Sequence, residues 1–280
     1  MSRLKSSRAL ELALASHCAY PDSREPVDEL ELDSVHTFGA APVAGFVGST
    51  GKRVILAFRG STYSPSESDT LTWLDNVFTD WTANLRLEPK QFHSGQVQGT
   101  YLELVRGAWP AIRELLADHG AKNKKLWITG HSMGGALAAL AGALAHWEGG
   151  MEVAGVYTFG APKIGDEAFA RHYPVPLFRF ENRNDIIPHL PPPIEVAKLL
   201  RVLSPDIEDA LSRWFGPHFL DFAFTPLGAL QYLDRKSKIR EDVAENERLV
   251  ALVSAMVLDR GQLLQDHWID SYCAAIEASL

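Results

Sequence analysis

Short apolar runs alternate along this chain with stretches whose apolar positions follow helical spacing. The runs of strand length are residues 43–47, 53–58, 124–129, 153–159 and 175–180. The stretches of helical spacing or composition are residues 7–20, 101–116, 136–147 and 166–172. Strands that alternate with helices predict an α/β fold, with a mostly parallel central sheet and helices on both faces. The run RVILAF at 53–58 is nearly all apolar, which predicts a central strand.

Three further segments carry weaker patterns. Residues 22–34 are polar and acidic, which predicts a loop. Residues 62–79 leave from Ser61 and carry apolar side chains on one helical face; we interpret them as a lid, with a fixed surface helix as the alternative. After the prolines at 191–193 the pattern is helical, longest at 239–258, so we expect a variable helical insertion at 194–242 within a single domain of residues 1–280.

Composition narrows the possible partners and compartments. The chain of 280 residues is 46% hydrophobic and 22% charged, with a net charge of −8, which disfavours nucleic acid and anionic lipid but not neutral lipid. Cys18 and Cys273 are too few for a disulfide framework; we expect thiols, with a single bridge between the two as the alternative. The first twenty residues lack a convincing signal peptide, and 249–258 is too short to cross a membrane. We therefore expect a cytoplasmic protein without a transmembrane segment.

The stretch 124–147 joins a predicted strand, a serine between glycines and a predicted helix. The GHSMG sequence at 130–134 lies at that junction, which is the context of the G-x-S-x-G nucleophile elbow. A serine on so tight a turn has a strained backbone, and its neighbours two residues away must be small. We predict that Ser132 is a nucleophile at the positive end of a helix dipole, where a developing oxyanion is favoured.

A serine hydroxyl needs a base, and the base needs an acid to orient it. In this fold class the chain order is serine, acid, histidine, and Asp185 follows the strand at 175–180 in the expected place. The base must come later. His189 follows the acid too closely to arrive from a separate loop, so His218 and His267 remain, and we favour His267 because its distance from Asp185 allows another crossover.

Two backbone N–H groups are expected to form an oxyanion hole. One belongs to Met133, directly after the nucleophile, and the other to Ser61, in the loop after a central strand. Two other histidines are expected to be structural, His93 and His131. The side chain of His131 should point away from Ser132.

Seven segments together resemble the class 3 lipases, the fungal-type triacylglycerol lipase family of α/β-hydrolases. They occur in the family's order and are ILAFRGS (55–61), DWTANLR (80–86), FHSG (92–95), ITGHSMGGALAAL (128–140), VYTFGAPKIGDEAFA (156–170), NRNDIIPHLP (182–191) and DHWIDSY (266–272). The chain departs from the family at Gln96, where an aromatic residue is usual, in a longer segment between Ser61 and Trp81, and at 194–242, which does not align.

The resemblance implies Ser132 as nucleophile, Asp185 as acid, His267 as base, and Ser61 with Met133 as oxyanion donors. The expected function is hydrolysis of a carboxylic ester with an apolar acyl group, first of all an acylglycerol, with no cofactor or metal. The expected partner is a lipid or other apolar ester, with transient contact to a lipid interface. Alternatives are a phospholipase A1 or a soluble carboxylesterase of the same family, and a non-catalytic binding protein on the same fold.

Overall fold

The computed structural model describes residues 3–21, 26–40, 42–61, 88–192, 222–258 and 260–280. Its strands, within these residues, are β1 (Ser34–Ala40), β2 (Val43–Ser49), β3 (Arg53–Phe58), β4 (Pro89–Phe92), β5 (Gly95–Gln98), β6 (Lys125–His131), β7 (Val153–Phe159), β8 (Leu177–Asn182), β9 (Ala229–Leu233) and β10 (Ile239–Arg240). Eight of them form one sheet in the order β1-β2-β3-β6-β7-β8-β9-β10, and β4 pairs with β5 separately. The pairings from β3 to β9 are parallel, and those at the two edges are antiparallel.

Helices cover both faces of the large sheet. In the described residues they are α1 (Arg3–Cys18), α2 (Pro26–Leu30), α3 (Gly99–Asp118), α4 (Met133–Trp147), α5 (Glu167–Arg171), α6 (Glu245–Leu258), α7 (Arg260–His267) and α8 (Ile269–Glu277). Successive residues of β3 point to opposite faces. Leu56 and Phe58 join the core beneath α3 and α4, whereas Ile55 and Ala57 join the core beneath α1 and α8. The predicted α/β fold, with a mostly parallel sheet between helical layers, is confirmed.

Most predicted elements are present, with shifted ends. The antiparallel hairpin β2–β3, the central position of β3, the long helix α3 and the β6–α4 unit are all found. Strand β7 has the predicted bounds, and α5 lies within the predicted helix, with the Asp166 side chain accepting the N–H of Phe169 at its start. Strand β8 begins two residues later than the apolar run, at Leu177.

Several predictions about the edges of the sheet are wrong. Residues 26–30 of the predicted loop form α2, and β1 follows it. The helical pattern predicted beyond the proline run does not hold for β9 and β10, which extend the sheet. The described helix starts at Glu245 instead of residue 239. Strands β9 and β10 are short, and β1, β9 and β10 are only partly buried, so these three strands lack the continuous apolar run of a central strand. The predicted lid at 62–79 and the part of the predicted insertion at 194–221 lie outside the described residues.

The parallel strands bring four loops together at the carboxyl ends of the strands. Because β3, β6, β7 and β8 run in the same direction, the segments after their last residues lie at their shared carboxyl ends. Ser61 follows β3, Ser132 follows β6, Gly160 follows β7 and Asp185 follows β8. Within the described part of the chain, no helix has the length and apolar character needed to cross a membrane.

Candidate active site

Ser132 occupies a sharp turn between β6 and α4. Its backbone has φ 57° and ψ −130°, a strained combination for a residue with a side chain, and its N–H donates to the carbonyl of Phe159 at 2.9 Å. A Cβ at Gly130 would collide with the carbonyl of Gly134, and one at Gly134 would lie 2.5 Å from the carbonyl oxygen of Phe58. The turn therefore requires glycine on both sides of the serine, as the elbow motif predicts.

His267 connects the serine to the acid. Its Nε2 lies 3.1 Å from Ser132 Oγ, and its Nδ1 lies 2.9 Å from both carboxylate oxygens of Asp185. All three side chains are buried. Since the carboxylate can only accept a hydrogen bond, Nδ1 carries a proton, and in the neutral ring Nε2 is left as the acceptor for the serine hydroxyl. The structure thus brings together the serine, histidine and acid predicted from the sequence.

Three residues that the sequence did not single out as site residues surround the acid. The Tyr272 hydroxyl donates to Asp185 Oδ2 at 2.6 Å, and the backbone N–H of Ile187 donates to Oδ1 at 2.9 Å. Burial and the nearby carboxylate raise the pKa of Tyr272 well above its ordinary value, so the phenol keeps its proton. Gly160 has φ 60°, and a Cβ there would lie 2.7 Å from Asp185 Oδ2. Its sequence signals are its position directly after β7 and its place in the segment 156–170, which resembles the lipase family.

The predicted oxyanion donors flank the elbow. Met133 is the first residue of α4, so its backbone N–H belongs to the helical turn that has no intrahelical acceptor. Ser61 lies in the loop after β3, and a Cβ on the preceding Gly60 would be 3.2 Å from the Cβ of Ser132. This loop therefore lies against the nucleophile.

The other histidines have different surroundings. His131 directs its Nε2 to the backbone carbonyl of His267 at 2.6 Å and its Nδ1 to the hydroxyl of Tyr20 at 2.7 Å. His93 stacks on Trp147 with ring centroids 4.0 Å apart.

The two other candidates for the base are His189 and His218. His189 is buried with its Nε2 4.0 Å from a carboxylate oxygen of Glu181, and burial lowers the pKa of His189. The alternative base, His218, lies outside the described residues.

The described residues contain no group of three His, Cys, Asp or Glu side chains that could hold a metal ion. Cys18 and Cys273 are both thiols in the structure. Burial raises the pKa of Cys273 to about 12, so this thiol is protonated and weakly nucleophilic at neutral pH.

Sequence comparison finds relatives over about half of the chain. The lipase of Rhizopus niveus is 31% identical over 147 residues, which make up 50% of this chain and 35% of that lipase. Triacylglycerol lipase OBL1 of Nicotiana tabacum is 34% identical over 142 residues, 47% of this chain and 24% of the plant protein. The chain thus aligns with less than half the length of these two curated relatives.

Structural comparison extends the similarity to nearly the whole chain. A solved structure of a triacylglycerol lipase, whose catalytic centre is formed by a serine protease triad, has a TM-score of 0.62 and 19% sequence identity, over 95% of this chain and 94% of that one. At this identity the likeness shows the fold, which is that of the α/β-hydrolases. A family model for class 3 lipases matches residues 55–195, half of the chain. The chain belongs to the class 3 lipase family.

Proposed function

We propose that the protein is a serine hydrolase of carboxylic esters with apolar acyl groups, acylglycerols first among them. The observation that carries the proposal is the hydrogen-bonded series from Ser132 Oγ through His267 to Asp185, on an elbow with a strained serine. Membership of the class 3 lipase family supports ester hydrolysis, and the named activities of its relatives support a lipid ester as the substrate.

In this mechanism His267 Nε2 takes the hydroxyl proton as Ser132 Oγ bonds to the ester carbonyl carbon. The carbonyl oxygen becomes an oxyanion, which the backbone N–H groups of Ser61 and Met133 stabilise. Asp185 holds the imidazole in the required tautomer and stabilises the imidazolium. The intermediate collapses, and His267 returns its proton to the departing alcohol oxygen. Water then attacks the acyl-enzyme with His267 again as base, which releases the acid and restores the serine.

The decisive experiment compares the wild type with Ser132→Ala in two assays. A fluorophosphonate probe should label the wild type alone, because only an activated serine reacts with it. Turnover of a soluble p-nitrophenyl ester should fall on the order of a millionfold in the variant, as for the triad serine of a protease. Absence of labelling in a folded wild type would indicate a binding protein, and a variant that kept a tenth of the turnover would exclude Ser132 as nucleophile.

A substrate panel separates the members of this enzyme class. It contains p-nitrophenyl esters from short to long acyl chains, a triacylglycerol emulsion and a phospholipid emulsion. We expect hydrolysis of the emulsified triacylglycerol and a preference for the longer p-nitrophenyl esters. Hydrolysis of phospholipid that is faster than hydrolysis of triacylglycerol would favour the phospholipase A1 alternative. Activity on soluble short esters alone would favour a carboxylesterase.

A further inference from the structure

The side chain of His131, the residue directly before the nucleophile, lies against the proposed base. Its ring packs against the ring of His267, with centroids 4.7 Å apart and a 38° angle between the planes. Its Nε2 is 2.6 Å from the backbone carbonyl oxygen of His267. His131 therefore contacts the main chain of His267, while Asp185 contacts the ring of His267 at Nδ1.

Tyr20 connects His131 to the loop after β3 that carries Ser61, which we call the oxyanion loop. Its hydroxyl is 2.7 Å from His131 Nδ1, and the backbone of Gly60, which precedes Ser61, also hydrogen-bonds to this phenol. Gly60 lies so close that a Cβ there would collide with the Tyr20 hydroxyl and lie 2.7 Å from the carbonyl oxygen of His131. One phenol thus contacts both the loop after β3 and the elbow after β6.

The directions of these hydrogen bonds are fixed by chemistry. A carbonyl can only accept, so His131 Nε2 must donate, and in the neutral ring Nδ1 must then accept from the hydroxyl of Tyr20. The Tyr20 hydroxyl donates its one hydrogen bond to His131 Nδ1, so it can only accept a hydrogen bond from the backbone N–H of Gly60. Burial, with the neighbouring His267 ring, lowers the pKa of His131 well below its ordinary value, which keeps the ring neutral. A neutral ring adds no positive charge beside His267 when that histidine becomes an imidazolium.

We infer that Tyr20 and His131 are positioning residues, which tie the oxyanion loop, the nucleophile elbow and the base into one hydrogen-bonded unit. The inference rests on the proposed ester hydrolysis and extends it to residues that touch neither substrate nor reacting atoms. Loss of the unit should leave substrate binding intact and loosen the alignment of His267 with Ser132. A misplacement of about 1 Å can lower the rate roughly a hundredfold.

The test compares Tyr20→Phe with Tyr173→Phe. Tyr173 is a matched control, since it is also partly buried and its hydroxyl donates to the carbonyl of Ala139 at 2.7 Å, outside this unit. Both variants lose one hydroxyl and keep the ring. On a soluble ester we expect Tyr20→Phe to lower kcat about tenfold or more, with KM within about twofold of wild type, and the fluorophosphonate labelling rate to fall in parallel. Tyr173→Phe should match the wild type in kcat, in KM and in the labelling rate.

His131 variants provide a second readout. His131→Leu removes both hydrogen bonds and should lose at least as much kcat as Tyr20→Phe. His131→Gln keeps an amide N–H for the carbonyl of His267 and should recover part of that loss, which a purely space-filling role would not predict. Should the leucine variant not fold, the tyrosine pair decides alone.

An unchanged kcat in folded Tyr20→Phe, or an equal loss in Tyr173→Phe, would overturn the positioning role. Either result is distinct from failure of the proposed function, which requires that Ser132→Ala retain turnover or that the wild type not be labelled.

Discussion

Replacing Tyr272 by phenylalanine removes the hydroxyl group that donates a hydrogen bond to the acid. The ring lies fully buried in the core beneath α1 and α8, so phenylalanine preserves the packing. The lost hydroxyl donates to Asp185 at 2.6 Å, a length typical of charge-assisted O–H···O⁻ bonds, and it accepts the N–H of Asn182 at 3.1 Å. The substitution therefore removes one strong hydrogen bond and leaves one buried N–H without its acceptor.

The magnitude follows from these two losses. A hydrogen bond to a charged group contributes about 2 kcal/mol to stability, and an orphaned buried N–H costs about 1 kcal/mol, so Tyr272→Phe should lower the free energy of unfolding by about 3 kcal/mol. Tyr173→Phe removes a neutral bond and should cost about 1 kcal/mol. For a chain of this size the difference of about 2 kcal/mol corresponds to a Tm lower by roughly 3 to 4 °C.

Thermal unfolding at neutral pH, measured for both variants and for a double-mutant cycle with Asp185→Asn, tests this reasoning. If the carboxylate charge supplies the strength of the bond, Tyr272→Phe should cost about 1 kcal/mol less in the Asp185→Asn background than in the wild type. An equal cost in both backgrounds would refute the charge-assisted bond. A Tm loss no larger than that of Tyr173→Phe would refute the estimate as a whole.

Four other substitutions test the site and its support. Asp185→Asn should lower kcat by about 10⁴, the loss seen for the acid of a serine protease, because the amide favours the wrong histidine tautomer; a loss below tenfold in steady-state kinetics would contradict this. His267→Ala should approach the inactivity of a nucleophile variant whereas His218→Ala should not, and equal mild effects would exclude the choice of base. For Glu181, burial would raise the pKa, but Arg179 and its other cationic neighbours outweigh burial and lower it to about 2. Glu181 therefore contributes stability that is full above its ordinary pKa of 4.5 and is lost as pH falls towards 2, so Glu181→Gln should flatten the acid limb of a melting-temperature profile; an unchanged limb would contradict the assignment.

The sequence predicted those parts of the molecule that depend on local pattern. Strands β3, β6 and β7 are continuous apolar runs, and Ser132 lies at a junction whose glycines are sterically required. The acid and base followed from chain order and from the position of loops at the carboxyl ends of strands. These predictions needed only neighbouring residues and the order of the elements along the chain.

The edge strands β1, β9 and β10 could not be predicted in the same way. Strand β9 alternates exposed, partly buried and buried residues over five positions, and β10 has only two residues, both partly buried. Such short segments owe their conformation to hydrogen bonds with a neighbouring strand, here β8 for β9 and β9 for β10. A pattern that reflects tertiary pairing carries little local signal.

The base and two of the residues that support the site lie outside the part of the chain that the family model matches. The family model ends at residue 195, so it includes Ser132 and Asp185 but neither His267 nor Tyr272, and it begins after Tyr20. The fold joins these segments because α1 and α8 pack on the same face of the sheet. Tyr20, just past the end of α1, then reaches His131, and Tyr272 on α8 reaches Asp185. The nucleophile and acid can therefore be read from local motifs, whereas the residues that hold them in register depend on how two distant helices cover one face.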